Sequence, residues 1–311
     1  MKAKKILIVF LRTILICGLG FMIIYPVLIK ISASLMTEAD VLDVSVGWIP
    51  KRPTLQNYVR AFQIMNYPQA FLNSFSLVFL VSFLQLISCT LVGYGFARFD
   101  FLGNKFLFAF VILTLIIPPQ MIMVPLYLNF RFFNIFGLLG EKGINLLGSW
   151  WPFVLTSLTA MGMRNGLFIY IARQFFKGMP FALEEAAYVD GAGPIKTFYK
   201  IMLPGAIPII LIIFLFSFVW QWNDLFYTNL FMRGGALLHG ETEGLLAYNL
   251  YSLERGLEQF VRDNYQISLE DEYFAVVNNA AMLLFIGPLL IMFAFLQRYF
   301  IESIERTGIV G

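Results

Sequence analysis

The chain has 311 residues, 59% of them hydrophobic and 13% charged, with a formal charge of +3 and a mean hydropathy of +0.76. A soluble domain is about 45–50% apolar and about 25% charged, so this composition excludes a water-soluble globule and points to membrane-embedded helices, whose backbone bonds are satisfied internally. The small, dispersed charge gives no nucleic-acid signal, and a single histidine, His239, cannot build a histidine-based metal site.

At the N-terminus, Lys2, Lys4 and Lys5 precede an apolar run at 6–29. That run exceeds the roughly 7–15 residues of a signal-peptide core and lacks a small-x-small cleavage site, so it is expected to persist as the first membrane helix. A span needs about 20 mostly apolar residues, and six segments reach that length: 6–29, 71–96, 106–127, 151–172, 205–227 and 276–296. Arg164 and Asn165 interrupt the fourth. Cys17 and Cys89 lie within apolar runs and read as small hydrophobes.

Three polar segments connect the spans. Residues 32–70 carry turn signals at Gly47, Pro50 and Pro53, residues 173–204 form a long loop, and residues 231–275 are rich in acids. With the N-terminus inside, Arg98, Lys105, Arg173, Lys177, Lys196 and Lys200 fall on the inner side, while the outer basic residues lie mostly in longer stretches. The bias predicts cytoplasmic N- and C-termini, and places Trp48, Trp150 and Trp151 near the outer boundary, where indole rings settle. No inverted repeat relates the two halves, which argues against a secondary-transporter architecture.

The inner loop carries the clearest pattern. Pro180 can open a short helix, Glu184 and Glu185 favour its positive end, and Gly191 can stop it in a left-handed conformation. Ala182, Ala186 and Val189 give that helix a shallow face suited to close docking. A second short helix is expected from Pro194, with Ile195, Phe198, Tyr199 and Met202 on one side and Lys196 and Lys200 on the other, until Leu203 and Pro204 break it. Two such helices on a membrane face call for a partner protein or the headgroup layer, and their weak hydrophobicity and mixed charge favour the protein.

The spacing is Glu185-Ala-Ala187, three residues, Gly191, nine residues, Ile201, one residue, then Leu203-Pro204. It resembles in full the "EAA loop" of binding-protein-dependent ABC importer permeases. Gly93-Tyr-Gly-Phe-Ala-Arg98, Ile117-Pro-Pro-Gln120, Trp222-Asn-Asp224, Pro53-Thr-Leu-Gln-Asn-Tyr58 and Gln297-Arg-Tyr-Phe300 extend the likeness over nearly the whole chain. They look like the carbohydrate-uptake branch, in particular its maltose-permease-like second subunit. The chain departs from the family pattern at Ser303 and in its closing Gly308-Ile-Val-Gly311, which puts a contact of the tail with an ATPase in doubt.

The resemblance implies an all-α, polytopic membrane protein of six transmembrane helices with the type I ABC importer permease fold. Residues 1–70 hold the first transmembrane helix and outer loop, 71–298 the core permease domain with a coupling loop at 180–204 and an outer loop at 231–275, and 299–311 a cytoplasmic tail. The coupling role falls on Glu185, Ala186, Ala187, Gly191, Leu203 and Pro204. Implied partners are a sister permease making a heterodimer, an ABC ATPase dimer, an extracytoplasmic solute-binding protein, membrane lipid, and a sugar or oligosaccharide, in a bacterial inner membrane. No catalytic residue, metal or cofactor is implied. The long outer loop either reaches into the binding protein, as in the maltose-type relative, or is an ordinary solvated acidic loop.

Charged and amide groups inside spans are functional candidates by default. Arg164 and Asn165 either donate to a solute or pair with helix carbonyls. Trp220, Asn223 and Asp224 either contact a pyranose ring and its hydroxyls or form part of an interfacial belt. An enzyme has no support: Glu184 and Glu185 diverge by about 100° on a helix and cannot flank one bond, and no G-x-x-x-x-G-K-[ST] loop holds phosphates. A stand-alone ion-coupled carrier would need titratable groups at the bilayer centre, where the chain offers only Arg164, which does not release its proton. An ABC permease for another solute class remains the alternative.

Overall fold

The computed structural model describes residues 2–140, 142–232, 244–265 and 270–308, with the side chains of 6–140, 142–232, 244–264 and 270–298. His239 and parts of the 231–275 segment therefore lie outside the described residues. Those described form helices, turns and irregular segments, with one isolated bridge between Phe133 and Ile144. The helices are α1 (Lys2–Ser34), α2 (Glu38–Leu42), α3 (Gln56–Ile64), α4 (Tyr67–Arg98), α5 (Asn104–Ile116), α6 (Met123–Arg131), α7 (Trp151–Leu158), α8 (Asn165–Gly178), α9 (Ala182–Val189), α10 (Pro194–Thr197), α11 (Leu203–Gly205), α12 (Ile207–Trp222), α13 (Phe226–Met232), α14 (Leu246–Tyr251), α15 (Leu253–Tyr265) and α16 (Asp271–Gly308). Two compact units result, Met1–Ala70 with Asn249–Leu290, and Phe71–Tyr248 with Ile291–Gly311.

Among the described residues, three helices are individually long and apolar enough to cross a bilayer, through Ile6–Ser34, Tyr67–Arg98 and Asp271–Arg298. The other expected spans are broken. Segment 106–127 bends by 103° between α5 and the turn Pro119–Ile122 that leads into α6. Pro118 forces Ile117 into an extended conformation, φ −72° and ψ 118°, and so ends α5. The fifth span enters through a 77° bend between Pro194–Gly205 and Ile207–Trp222. Segment 151–172, expected as one span, is two helices, α7 and α8, joined by residues 159–164 with left-handed backbone at Ala160 and Arg164. All-helical membrane architecture holds. Continuity fails in the third, fourth and fifth of the six spans, where proline or left-handed residues interrupt the helix.

In the first unit, α1 is apolar around its circumference, and its most apolar stretch buries nothing within the protein. Such a surface suits lipid. Its last turns are anchored by polar contacts: Lys30 Nζ donates to Asn279 Oδ1 at 3.0 Å, and Asn57 Nδ2 donates to the carbonyls of Ser34 and Met36 at 2.9 and 2.8 Å. Helix α15 buries Leu253, Leu257 and Val261, one apolar stripe at helical spacing, and packs on α3. Arg60 of α3 lies over the rings of Phe260 and Tyr273 at 5.4 Å each.

In the second unit one core joins α4, α8, the π turn Phe198–Met202 and α12 through Tyr94, Phe168, Phe176, Phe198, Met202 and Ile213. A second joins α4, α6, α7 and α13 through Leu77, Val81, Phe130, Phe153 and Phe231. Helices in lipid associate through close packing over small residues. Gly93 provides it: a Cβ there would sit 2.5 Å from Ala172 Cβ and 3.0 Å from the Arg173 backbone nitrogen. Gly95, two residues on, has no neighbour within 4 Å of such an atom. Gly93→Ala should therefore destabilise by about 1–3 kcal/mol through overpacking, whereas Gly95→Ala should be neutral or slightly stabilising. Thermal melting of the two purified variants, followed by fluorescence-detected size exclusion, checks this; equal melting temperatures would refute the assigned close approach.

Candidate functional site

The loop carrying the EAA spacing folds as its residues dictate. After Pro180, the N–H groups of Leu183 and Glu184 bond the carbonyls of Pro180 and Phe181 at 3.3 and 2.9 Å, and α9 begins. It ends in a Schellman motif: Ala192 N–H reaches the Ala187 carbonyl at 2.9 Å, Gly191 N–H reaches that of Tyr188 at 3.0 Å, and Gly191 takes φ +74°. Helical spacing then divides the motif. Glu185, Ala186 and Val189 face out, while Glu184 and Ala187, three apart, face the chain and are buried. Ala187, expected beside Ala186 on the docking face, packs inward for that reason. Gly191 and Pro204 are exposed, and Leu203 is half-buried against the first core.

Glu184, expected to favour the positive end of the helix, is also buried, and that burial is what the sequence did not reveal. Tyr94 Oη donates to Glu184 Oε1 at 2.9 Å, and Arg98 Nε lies 3.7 Å from Glu184 Oε2, with both charged side chains almost wholly buried. Arg98 Nη2 donates to the Met179 carbonyl at 2.7 Å, and its guanidinium lies 4.3 Å from the centre of the Phe181 ring. One cation at the end of α4 thus holds the entry, the cap and the first turn of α9. Its Nε and Nη1 have no hydrogen-bond partner, so removing the Glu184 charge would leave a buried cation without its ion pair. The Tyr94 ring is wedged against Phe176 and Phe198 at 5.2 and 4.7 Å. Arg173 reinforces the base, donating from Nε to the Phe96 carbonyl at 3.3 Å and lying 4.0 Å from the centre of the Phe108 ring. A usable signal lay in the Gly93 to Arg98 stretch, where Tyr94 and Arg98, four apart, share a helix face.

The proposed solute contacts separate into two kinds. Arg164, exposed and left-handed, lies 5.6 Å from the centre of the Trp220 ring, itself packed on Phe168 and Phe216. Asn165 is buried, and with its amide turned so that the oxygen faces the backbone donors it accepts from the N–H groups of Gly162 and Met161 at 3.0 and 3.3 Å. Asn223 Nδ2 donates to the Val219 carbonyl at 2.7 Å within its own last turn. Asp224 is buried and caps α13, accepting from Tyr227 N–H at 3.1 Å, Thr228 N–H at 2.9 Å and Thr228 Oγ1 at 3.3 Å. Its carboxylate serves the backbone, because a helix that restarts inside an apolar environment needs its first N–H groups satisfied.

The break at 159–164 frees carbonyls where hydrocarbon supplies no donor. Helix α4 supplies them: Gln85 Nε2 donates to the Met163 carbonyl at 3.0 Å and Ser88 Oγ to that of Ser157 at 2.7 Å, while Ser217 of α12 donates to Gln85 Oε1. Against the break lies a cleft of about 490 Å³, with Asn129, Thr156, Gln221 and Tyr227 among aromatic neighbours Phe130 and Phe153. Cavities of this size, mostly apolar with a few polar groups, are typical of small-molecule sites.

Residues 89–306 match the family described as "Binding-protein-dependent transport system inner membrane component". An osmoprotective compounds uptake permease protein of Synechocystis sp. is 30% identical over 94% of this chain and 89% of its own length. An arabinooligosaccharides transport system permease protein of Halalkalibacterium halodurans is 26% identical over 97% and 96%. Among solved structures, a bacterial ABC transporter involved in the import of the acidic polysaccharide alginate contains a chain of the same fold, with a TM-score of 0.74 and 21% identity, covering 96% of this chain and 98% of that one.

The capping role of Asp224 separates two outcomes. Asp224→Ala should lower stability by about 0.5–2 kcal/mol, the range for a lost N-cap, with Asp224→Asn retaining most of it. Solute KM should not move in either variant. A raised KM with an unchanged melting temperature would return Asp224 to the solute pathway.

Proposed function

The chain belongs to the binding-protein-dependent inner membrane components of ABC importers, and on that premise we propose that it is the maltose-permease-like subunit of a sugar or oligosaccharide importer. Members of this family work beside a second permease, an ATPase and a solute-binding protein, and the chain is accordingly a non-enzymatic part of a transport complex. The observation that carries the finer reading is α9, an eight-residue helix with a left-handed stop at Gly191, whose Glu185, Ala186 and Val189 face outward at one end of a rigid core. A short helix of this kind can seat in a cleft of an ATPase on the cytoplasmic side, with Leu203 and Pro204 setting the turn into the fifth span. Both termini are then cytoplasmic, the pore is a heterodimer with a sister permease, and ATPase closure pulls on α9 to open the pathway outward to a loaded binding protein.

Carbohydrate as the solute is supported by the arabino-oligosaccharide and alginate systems among the relatives. Chemistry of the chain agrees: the Arg164–Trp220 pair and the cleft beside the break combine aromatic faces with amide and hydroxyl groups, which suits a pyranose ring. Glu254, Glu258 and Asp263 on the exposed side of α15 give the outer loop a polar surface that a binding protein can read.

Two measurements test the proposal. Purified from its native membrane, the chain should elute with an ATPase and a second permease, and vesicles holding that complex and its binding protein should take up a labelled neutral or acidic oligosaccharide on ATP addition. Recovery of the chain alone, or uptake competed only by amino acids, peptides or ions, would overturn it. Gly191→Val forces a β-branched residue into the left-handed region, at about 1–2 kcal/mol; the variant should insert normally and lose most transport. Full transport by that variant would remove α9 from the mechanism.

A further inference from the structure

We infer that α4 is the rod that carries the motion of α9 to the helix break at 159–164, gripped at one end through Glu184 and at its middle by the carbonyls of Ser157 and Met163. The inference deepens the reading that α9 docks on an ATPase, and rests on it.

Three observations carry it. First, α4 is continuous through 32 residues while the third, fourth and fifth spans are broken or bent, so it is the element of this unit able to transmit a displacement without absorbing it. Second, its inner end is joined to α9 by buried charged groups. Tyr94 and Arg98 hold Glu184 at 2.9 and 3.7 Å, and Arg98 also holds the Met179 carbonyl and the Phe181 ring. Adjacent carboxylates therefore divide two tasks, Glu185 facing the partner and Glu184 facing the rod. Third, about 9–20 Å along the same helix, Gln85 and Ser88 donate to the Met163 and Ser157 carbonyls at the break. That break contains two non-glycine residues in the left-handed region, Ala160 at φ +56° and Arg164 at φ +60°. Conformations of this kind persist only where the surroundings over-determine them, and cluster at elements that switch. When α4 shifts, the donors that fix the break shift with it, and the wall of the adjoining cleft, which includes Thr159, Met161 and Met163, is re-formed.

The test uses the whole importer, with its ATPase and sister permease, in lipid nanodiscs. Exposed Cys17 is replaced by serine, and a single reporter cysteine is placed at exposed Met161 or, separately, at exposed Thr159. Maleimide labelling rates are compared without nucleotide and with ATP trapped by vanadate. The parent complex should change its rate on trapping. Tyr94→Phe, which keeps the ring packing and removes only the hydroxyl, and Glu184→Gln should both keep the ATPase bound and hydrolysing, yet lose about tenfold of that response, the scale of one charge-assisted hydrogen bond. Ser88→Ala should lose it too while leaving the α9 contact intact. A full response in Tyr94→Phe and Glu184→Gln, or in Ser88→Ala, would overturn the inference, as would loss of the ATPase from Tyr94→Phe. A parent complex whose reporters ignore nucleotide would instead sink the coupling reading on which the inference stands.

Discussion

Hydrocarbon offers no hydrogen-bond partner, so a backbone group released inside a membrane must find one within the protein. This chain releases such groups repeatedly, at the proline bend after α5, between α7 and α8, and at the restart of α13. Two of these releases are met by polar side chains: Gln85 and Ser88 of α4 at the α7–α8 break, and Asp224 ahead of α13. Those few polar residues explain how a fold with interrupted spans can exist at all. They also explain why α4, which supplies most of the donors, is itself uninterrupted.

Cations are handled by the same logic. Aromatic residues make up 17% of the chain and all charged residues together 13%, so rings are commoner neighbours for a guanidinium than carboxylates are. Arg60, Arg98, Arg164 and Arg173 each lie over an aromatic face, at 4.0 to 5.6 Å from a ring centre. A guanidinium is weakly hydrated and stacks on aromatic faces, which an ammonium does less well. At Arg98 the carboxylate of Glu184 is added to ring and carbonyl at the base of α9. Helix α9 is thereby fixed on one side and exposed on the other.

That asymmetry is what a coupling element requires. A docking helix lying loosely on the surface would move without moving anything else, and one wholly buried would have nothing to offer a partner. Helix α9 has an inward stripe of Glu184 and Ala187 and an outward stripe of Glu185, Ala186 and Val189, separated by the helical rotation between neighbouring positions.

Much of this was legible in the residues themselves. Apolar run length set the membrane class and the existence of helices, because burial in lipid depends on composition more than on contacts. The spacing from Glu185 to Pro204 identified the loop, and Gly191 the left-handed stop, because local backbone chemistry suffices for both. What sequence could not decide was direction and continuity. Glu184 and Glu185 are chemically identical neighbours, and only packing against Tyr94 and Arg98 makes one a buried anchor and the other a surface group. Asp224 stood as either a solute contact or part of an interfacial belt, and only the restart of α13 shows its carboxylate serving a helix start. Residues 151–172 read as one span because hydropathy sums side chains and is blind to φ, and it is the donors of α4, distant in sequence, that allow Ala160 and Arg164 to break it.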